Sequence, residues 1–410
     1  MKLIYSIGIY IADLVISILA LFNAKLSQGV KGRKKTFKTL EGSISKNDKT
    51  LWFHCASLGE YEQGLPVFKG LKANYPNHKI VLSFFSPSGY QVKKRNELTD
   101  IVVYLPLDTK NNARKFLDLI EPNYIVFVKY EIWPNLLHEV RKRNLKAILI
   151  SAVFRKNQVF FKSYGGYMRS ALLAFNHVFT QTEHAKQLLS TINYNNTTVS
   201  GDTRFDRVFD QLKLDNTVLF VDRFKQNKLC VVLGSTWPDD DKLYIDFINK
   251  SKLDVKFIIA PHNIKKDYTS SLKSQLYTKT VTFSEMTGKT LEDYNVFILD
   301  TIGYLSKVYS YADIAYVGGG AGRTGLHNVL EPAVFGVPII IGKNYEKFPE
   351  AKALIKAGGI VTVDNAKSFE TIINALIKDS SLRNTQGKIN RDFIAKNKGA
   401  VIQILDYVRI

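Results

Sequence analysis

Two acids stand where the chain's patterning passes from strand to helix. In LWFHCASLGEYEQGLPVF, from Leu51 to Phe68, the residues Leu51, Phe53 and Cys55 alternate with Trp52, His54 and Ala56. Ser57-Leu58-Gly59-Glu60 then breaks the alternation and a helical stretch follows. Glu131 holds a similar place in Lys129-Tyr130-Glu131-Ile132-Trp133-Pro134-Asn135. A carboxylate in such a loop can serve as a general base. It can equally be an acid favoured by the dipole of a helix start. Spacing alone leaves both readings open for Glu60 and Glu131.

The second half of the chain has its densest stretch at VGGGAGRTGLHNVLEPAVFGVPIIIG, Val317 to Gly342. Glycines allow close approach of backbone to phosphate, and free N–H groups at a helix start bind anions. A helix is expected to begin near Gly325-Leu326-His327-Asn328, with Glu331 about one turn in, where a carboxylate can accept from ribose hydroxyls. Two further loops support a nucleotide site. Gly234-Ser235-Thr236 offers small donors for an anion, and in Pro261-His262-Asn263 the imidazole either reads a phosphate or base or is a plain loop histidine. There is no GxxxxGK[ST] loop, and no GxGxxG in the right strand–helix context, so neither ATP nor NAD is implied.

The elements that must position these loops alternate. Strands are expected at Leu51–Ala56, Lys79–Phe85, Ile101–Leu105, Tyr124–Val128, Lys146–Ser151 and His177–Gln181, with helical patterns between them. A second series runs Leu229–Leu233, Lys256–Ala260, Val296–Leu299, Ile314–Val317, Pro338–Ile341 and Ile360–Val363. Such alternation means parallel sheets covered on both faces, here two Rossmann-like halves in tandem. Ligands of such sheets bind beyond the carboxyl ends of the strands, so the loops at Glu60, Ser86 and Glu131 should share one edge.

Composition sets the setting. With 410 residues two domains are expected. A formal net charge of +20, from 57 Lys+Arg against 37 Asp+Glu, points to polyanionic partners. Two distant cysteines, Cys55 and Cys230, argue for a reducing compartment and against a disulfide framework. The seven histidines show no HExxH or other ligand spacing, so no structural metal is expected.

Leu3 to Phe22 is apolar apart from Asp13 and a polar row at Ser6, Tyr10, Asp13 and Ser17. Its length suffices to cross a bilayer. The polar row fits equally a helix lying in the interface or packing on its own protein. The basic run Lys25, Lys31, Arg33, Lys34, Lys35 and Lys38 favours a cytoplasmic body beside anionic lipid. Asp13 and the position of that run argue against a cleaved signal peptide.

Taken in order, several motifs carry a resemblance. Ser57-Leu58-Gly59-Glu60, Glu131-Ile132-Trp133-Pro134-Asn135, Gly201-Asp202-Thr203-Arg204-Phe205-Asp206, Asp300-Thr301-Ile302-Gly303 and His327-Asn328-Val329-Leu330-Glu331-Pro332 resemble those of the 3-deoxy-D-manno-octulosonic acid (Kdo) transferases of lipopolysaccharide synthesis. The resemblance spans about residues 50 to 365. It implies an α/β fold of the GT-B type, two Rossmann-like parallel-sheet domains facing across a cleft, with an N-terminal membrane-associated helix. It also implies inverting transfer of Kdo from CMP-Kdo to the lipid A precursor, lipid IVA, with no metal and no cofactor. By this likeness Glu60 is the general base, and Glu131 and Arg204 stabilise the transition state or position the donor. CMP contacts would come from Pro261, His262 and Asn263, from Ile302, Gly303 and Tyr304, and from Asn328, Val329, Leu330 and Glu331. Ser235, Thr236 and Gly325 complete the expected donor site.

The chain departs from the family pattern at Lys129, where an acid is usual, and at His262, Asn263, Tyr304 and Leu326. The expected organisation is a membrane-anchor helix (1–24), a basic linker (25–50), an acceptor domain (51–205), a linker (206–228), a nucleotide-binding domain (229–380) and C-terminal helices (381–410). The expected partners are CMP-Kdo, the phosphorylated lipid A precursor and the anionic surface of the inner membrane, and no nucleic acid. Competing expectations are another GT-B enzyme, such as a UDP-sugar transferase or epimerase, and a non-catalytic, membrane-tethered polyanion binder.

Overall fold

The computed structural model describes residues 2–94 and 96–409. It divides into two units, one formed by Met1–Arg207 with Lys398–Ile410, the other by Val208–Asn397.

The first unit holds a seven-stranded sheet in the order β3-β2-β1-β4-β5-β6-β7. The strands are β1 (Thr50–Cys55), β2 (Lys79–Phe84), β3 (Ile101–Tyr104), β4 (Pro122–Val128), β5 (Ala147–Ala152), β6 (His177–Thr180) and β7 (Thr197–Val199). Every neighbouring pair is parallel. β1 is buried along its whole length, with Trp52 on one face and Phe53 on the other. Burial on both faces is what a parallel sheet between helical layers requires.

The second unit repeats the plan in the order β10-β11-β9-β8-β12-β13-β14. Its strands are β8 (Leu229–Thr236), β9 (Val255–Pro261), β10 (Thr280–Thr282), β11 (Val296–Ile298), β12 (Ile314–Val317), β13 (Ile339–Gly342) and β14 (Ile360–Val363). All pairings are again parallel. In each sheet the strand order reverses beside the first strand, at β1/β4 and at β8/β12. These are the switch points where open α/β sheets bind ligands.

The segment 206–228, expected as a linker, is largely helical. Helix Thr203–Gln211 runs through its start, and helix Leu219–Lys225 packs on the second unit, with Phe220 stacked on Phe297. The C-terminal helices do not stay together. Ser380–Asn397 belongs to the second unit and Ala400–Tyr407 to the first. The reason is local. Asp206 accepts hydrogen bonds from Gly399 N and Ala400 N, and Ile404 and Val408 join the core beside Phe68 and Leu71.

Helix α1 (Lys2–Leu19) is long and apolar enough to cross a membrane and has no buried residue. Its half-buried row is Tyr5, Ile9, Ala12 and Ile16, while Tyr10, Asp13 and Ser17 are exposed. Most of the expected polar row therefore does not pack on the protein. Ser6 is its half-buried member, and the apolar Ile7, Ile11, Leu14 and Ile18 are exposed as well. Tyr5 ties α1 down by donating to Asp108 at 2.8 Å.

Candidate active site

At the β1/β4 switch point the two acids meet. Glu60 is the third residue of the helix Leu58–Asn74, whose N-cap Ser57 makes no side-chain cap. The Glu60 side chain folds back instead, and its Oε2 accepts from Ala56 N–H at 2.5 Å. The carboxyl is buried, with 6% of the residue exposed. Among the described residues Oε1 accepts no hydrogen bond from the chain. One oxygen thus does the structural work of a helix-start acid and the other remains available.

Burial raises the Glu60 pKa, and the negative charge of Glu131 raises it further. The Ala56 N–H, Lys129 and His54 pull the other way without prevailing. The helix start alone would favour the ionised form; here desolvation and a like charge outweigh it. The carboxylate is correspondingly a stronger base.

Glu131 is held by two side chains to which the sequence assigned no role of their own. Its Oε2 accepts from Trp133 Nε1 at 3.1 Å and lies 3.5 Å from His54 Nε2. His54, fully buried on β1, sits opposite Ser83 of β2 and Phe127 of β4 in the sheet register. Its Nδ1 meets Ser83 Oγ at 2.9 Å, and that hydroxyl also accepts from Trp52 Nε1 at 2.8 Å. Lys129, two residues before Glu131, has φ 67°, a left-handed conformation uncommon for a residue with a side chain. Arg204 is anchored on Asp202, with Nε 2.8 Å and Nη2 2.7 Å from Oδ2. Gln63, on the same helix as Glu60, donates to the same Asp202 at 3.1 Å. Arg204 is therefore tied to that helix about one turn beyond Glu60, and the charges acting on Glu60 are Glu131, Lys129 and His54.

The second unit's loops gather at the β8/β12 switch point around one buried acid. Asp240 Oδ2 accepts from Trp237 N at 2.9 Å and Gly319 N at 2.8 Å. Its Oδ1 accepts from Tyr316 OH at 2.6 Å and Ala321 N at 3.2 Å. Two N–H groups of the glycine-rich loop, expected to serve an anionic ligand, are thus taken by the protein's own carboxylate. The glycines have packing reasons too. A Cβ on Gly318 would lie 2.5 Å from Ser235 O, and one on Gly320 would lie 3.1 Å from Gly342 N.

Known proteins resemble this chain in sequence and in fold. Residues 21–207 match the family described as 3-Deoxy-D-manno-octulosonic-acid transferase (kdotransferase). Over 378 residues the chain is 25% identical to a 3-deoxy-D-manno-octulosonic acid transferase of Haemophilus influenzae, covering 88% of this chain and 86% of the relative. The chain is thus similar to the Kdo transferases, by family model over residues 21–207 and by relatives over most of its length. Its fold is similar to UDP-GlcNAc 2-epimerase from Neisseria meningitidis bound to UDP-GlcNAc (TM-score 0.54, 14% identity, 87% of this chain and 100% of that one). It is also similar to MurG of Acinetobacter baumannii (TM-score 0.54, 12% identity, 87% and 98%). The chain thus has the two-sheet GT-B architecture.

Several expected donor contacts stand differently in the structure. Thr236 is fully buried, and its hydroxyl accepts from Tyr244 OH at 3.3 Å, so it is not presented to a ligand. Val329 and Leu330 send their side chains into the core, which leaves only their backbone for contact. The helix there is Leu330–Val334, starting later than the expected Gly325, with Gly325 itself at φ 97°. Tyr304 packs against Phe220 and Phe283. Ser235 (φ 56°) and the buried Pro261 lie at the ends of β8 and β9 themselves, while His262, Asn263, Ile302 and Gly303 are on strand-end loops, with His262, Ile302 and Gly303 exposed. Asn328 donates to Glu331 at 3.1 Å, which orients that carboxylate.

Trp237 and His327 carried no expected role. Their signal was their place, one directly after β8 and the other directly before Asn328.

Proposed function

We propose that this protein is a Kdo transferase that moves Kdo from CMP-Kdo to a hydroxyl of the phosphorylated lipid A precursor, lipid IVA, with inversion. The acceptor oxygen attacks the anomeric carbon of Kdo while Glu60 Oε1 takes the hydroxyl proton. The bond from that carbon to the phosphate oxygen breaks, and CMP leaves with the electron pair. Glu131 offsets the oxocarbenium charge that develops on the sugar, and Arg204 positions an anionic group of the substrates. The reaction as written uses no metal and no cofactor. The nucleotide is held by the loops at Ser235, Pro261–Asn263, Ile302–Gly303 and Asn328–Glu331, and the ribose hydroxyls donate to Glu331.

One observation carries this reading: Glu60 is a buried carboxylate with a free oxygen and raised basicity, set beside Glu131 at the switch point of its sheet. A base with those properties suits proton removal from a sugar hydroxyl near neutral pH. The exposed apolar row of α1 and the basic residues that follow support attachment to the cytoplasmic face of the inner membrane, beside the anionic acceptor.

The test is mass spectrometry of the lipid after incubation with CMP-Kdo and lipid IVA. The expected product carries one or more added Kdo residues, with CMP released only when lipid is present. Glu60→Gln should abolish the product and keep CMP binding. Unchanged lipid, or a Glu60→Gln variant working at near-normal rate, would end this assignment. A thermal-shift series with CMP, UDP and GDP separates it from other GT-B chemistry, because the donor's nucleotide stabilises the fold most.

A further inference from the structure

The glycine-rich loop of the second unit poses a problem for any nucleotide phosphate. Asp240 already occupies Gly319 N–H and Ala321 N–H. The phosphate therefore needs another donor nearby, and the structure supplies one.

Trp237 and His327 face each other across the β8/β12 switch point. The indole Nε1–H donates to His327 Nε2 at 3.0 Å. Both residues are fixed by their backbones. Trp237 N is held by Asp240, and His327 N donates to Gly318 O at 3.0 Å. An indole N–H can only donate, so His327 Nε2 must offer its lone pair. The neutral ring then carries its hydrogen on Nδ1. The Cδ2 edge of the ring lies against the loop, since a Cβ on Gly319 would come within 3.2 Å of it. Nδ1 is on the opposite edge, and among the described residues no group of the chain accepts its hydrogen.

We propose that His327 donates its Nδ1–H to the phosphate of the bound nucleotide, and that Trp237 is the positioning residue that sets this tautomer; the identity of that nucleotide as CMP rests on the function proposed above. The donor is uncharged and preorganised, so it can strengthen its bond as negative charge gathers on the departing phosphate without reorienting. His262 completes the cluster, stacked on Trp237 with ring centroids 4.5 Å apart and 4.7 Å from His327. Burial and the neighbouring His262 push the His327 pKa down to about 4. His262 is the titratable group acting on the ring, because Asp240 spends its oxygens on backbone N–H groups and Tyr316. Protonating His327 would also break the bond from Trp237, so the ring stays neutral across the physiological range.

The test is calorimetric titration of the full chain with CMP and with cytidine. At pH 7.5, His327→Ala should weaken CMP by about tenfold, the loss of roughly one hydrogen bond to a charged group, and leave cytidine unchanged. His327→Asn should recover most of the loss, because its amide N–H can stand near the position of Nδ1. Trp237→Phe keeps a ring against His262 but releases Nε2. The imidazole can then carry its hydrogen on Nε2 instead, so Trp237→Phe should weaken CMP at pH 7.5, leave cytidine unchanged, and add little to the loss in His327→Ala. Equal losses for CMP and cytidine, no recovery with Asn, or a Trp237→Phe variant that binds CMP as wild type does overturns the assignment. A wild-type chain that binds UDP and ignores CMP overturns the donor reading instead, and His327 is then judged by UDP against uridine in the same comparisons.

Discussion

Trp133 and Glu131 are joined by a 3.1 Å hydrogen bond from the indole N–H to the carboxylate, with His54 Nε2 3.3 Å from the same indole nitrogen. The bond fixes the acid whose charge raises the basicity of Glu60. The two tryptophans after β4 and β8 thus do related work, each directing its N–H at a histidine Nε2 close to a strand end.

Trp133→Phe should keep the fold and lower kcat, because Glu131 loses its donor while the ring volume is largely conserved. A loss of about 1–3 kcal/mol in transition-state stabilisation is expected, or roughly five- to a hundredfold in rate. Steady-state kinetics beside a thermal melt checks this. A lowered melting temperature with an unchanged rate per folded molecule would assign Trp133 to packing alone.

The raised pKa of Glu60 makes a prediction about pH and rate. A base must be ionised to work, so kcat/KM should rise with pH through the Glu60 pKa, above the usual carboxylate range. Glu131→Gln removes the like charge and should move that acid limb to lower pH, while the plateau rate falls. A limb that stays in place in the Glu131→Gln variant would show that Glu131 does not act on the base.

Stability should respond in the opposite sense to activity. Glu60 has a higher pKa folded than unfolded. Its contribution to stability is therefore fully present below the unfolded pKa and lost as pH rises through the folded one. Glu60→Gln, neutral at every pH and still able to accept from Ala56, should be more stable than wild type at pH 8 and equal to it near pH 4. Urea denaturation at the two values measures the difference.

Asp240→Asn should be severely destabilising. The carboxylate accepts four hydrogen bonds while fully buried, and an amide nitrogen in its place would confront donors with a donor. A cost of about 3 kcal/mol or more is expected, visible as a lower denaturation midpoint and as lost nucleotide binding.

Association with membranes should depend on α1. Ile11→Asp combined with Leu14→Asp places charge on its exposed apolar face and should abolish co-sedimentation with vesicles of anionic phospholipid. Residual binding that disappears in high salt would be the contribution of Lys31, Lys34 and Lys35.

Twelve strands were legible because long apolar runs with β-branched residues can hardly be anything else once buried on both faces. The two that escaped, β7 and β10, are three-residue edge strands. A segment so short carries no period of its own, and without the wholly apolar composition of the equally short β11 only pairing with a neighbour defines it. The helix start at Leu330 falls later than the pattern implies for a related reason. Gly325 to Val329 form a turn around Gly318 O and the Asn328 side chain, which no local pattern announces.

By itself the sequence determined the alternation of strands and helices, the positions of Glu60 and Glu131 at strand ends, and the order of motifs that carries the resemblance to the Kdo transferases. These are local or ordered along the chain. Only the tertiary structure decided which donors each acid receives. It showed Asp240 filling the glycine-rich loop, Thr236 turned inward, His54 and Trp133 against Glu131, and Trp237 against His327. Contacts between side chains far apart in the chain, such as His54 with Glu131 and Trp237 with His327, depend on the strand order of the sheet. That order arises from burial of the whole strand, and no short stretch of sequence contains it.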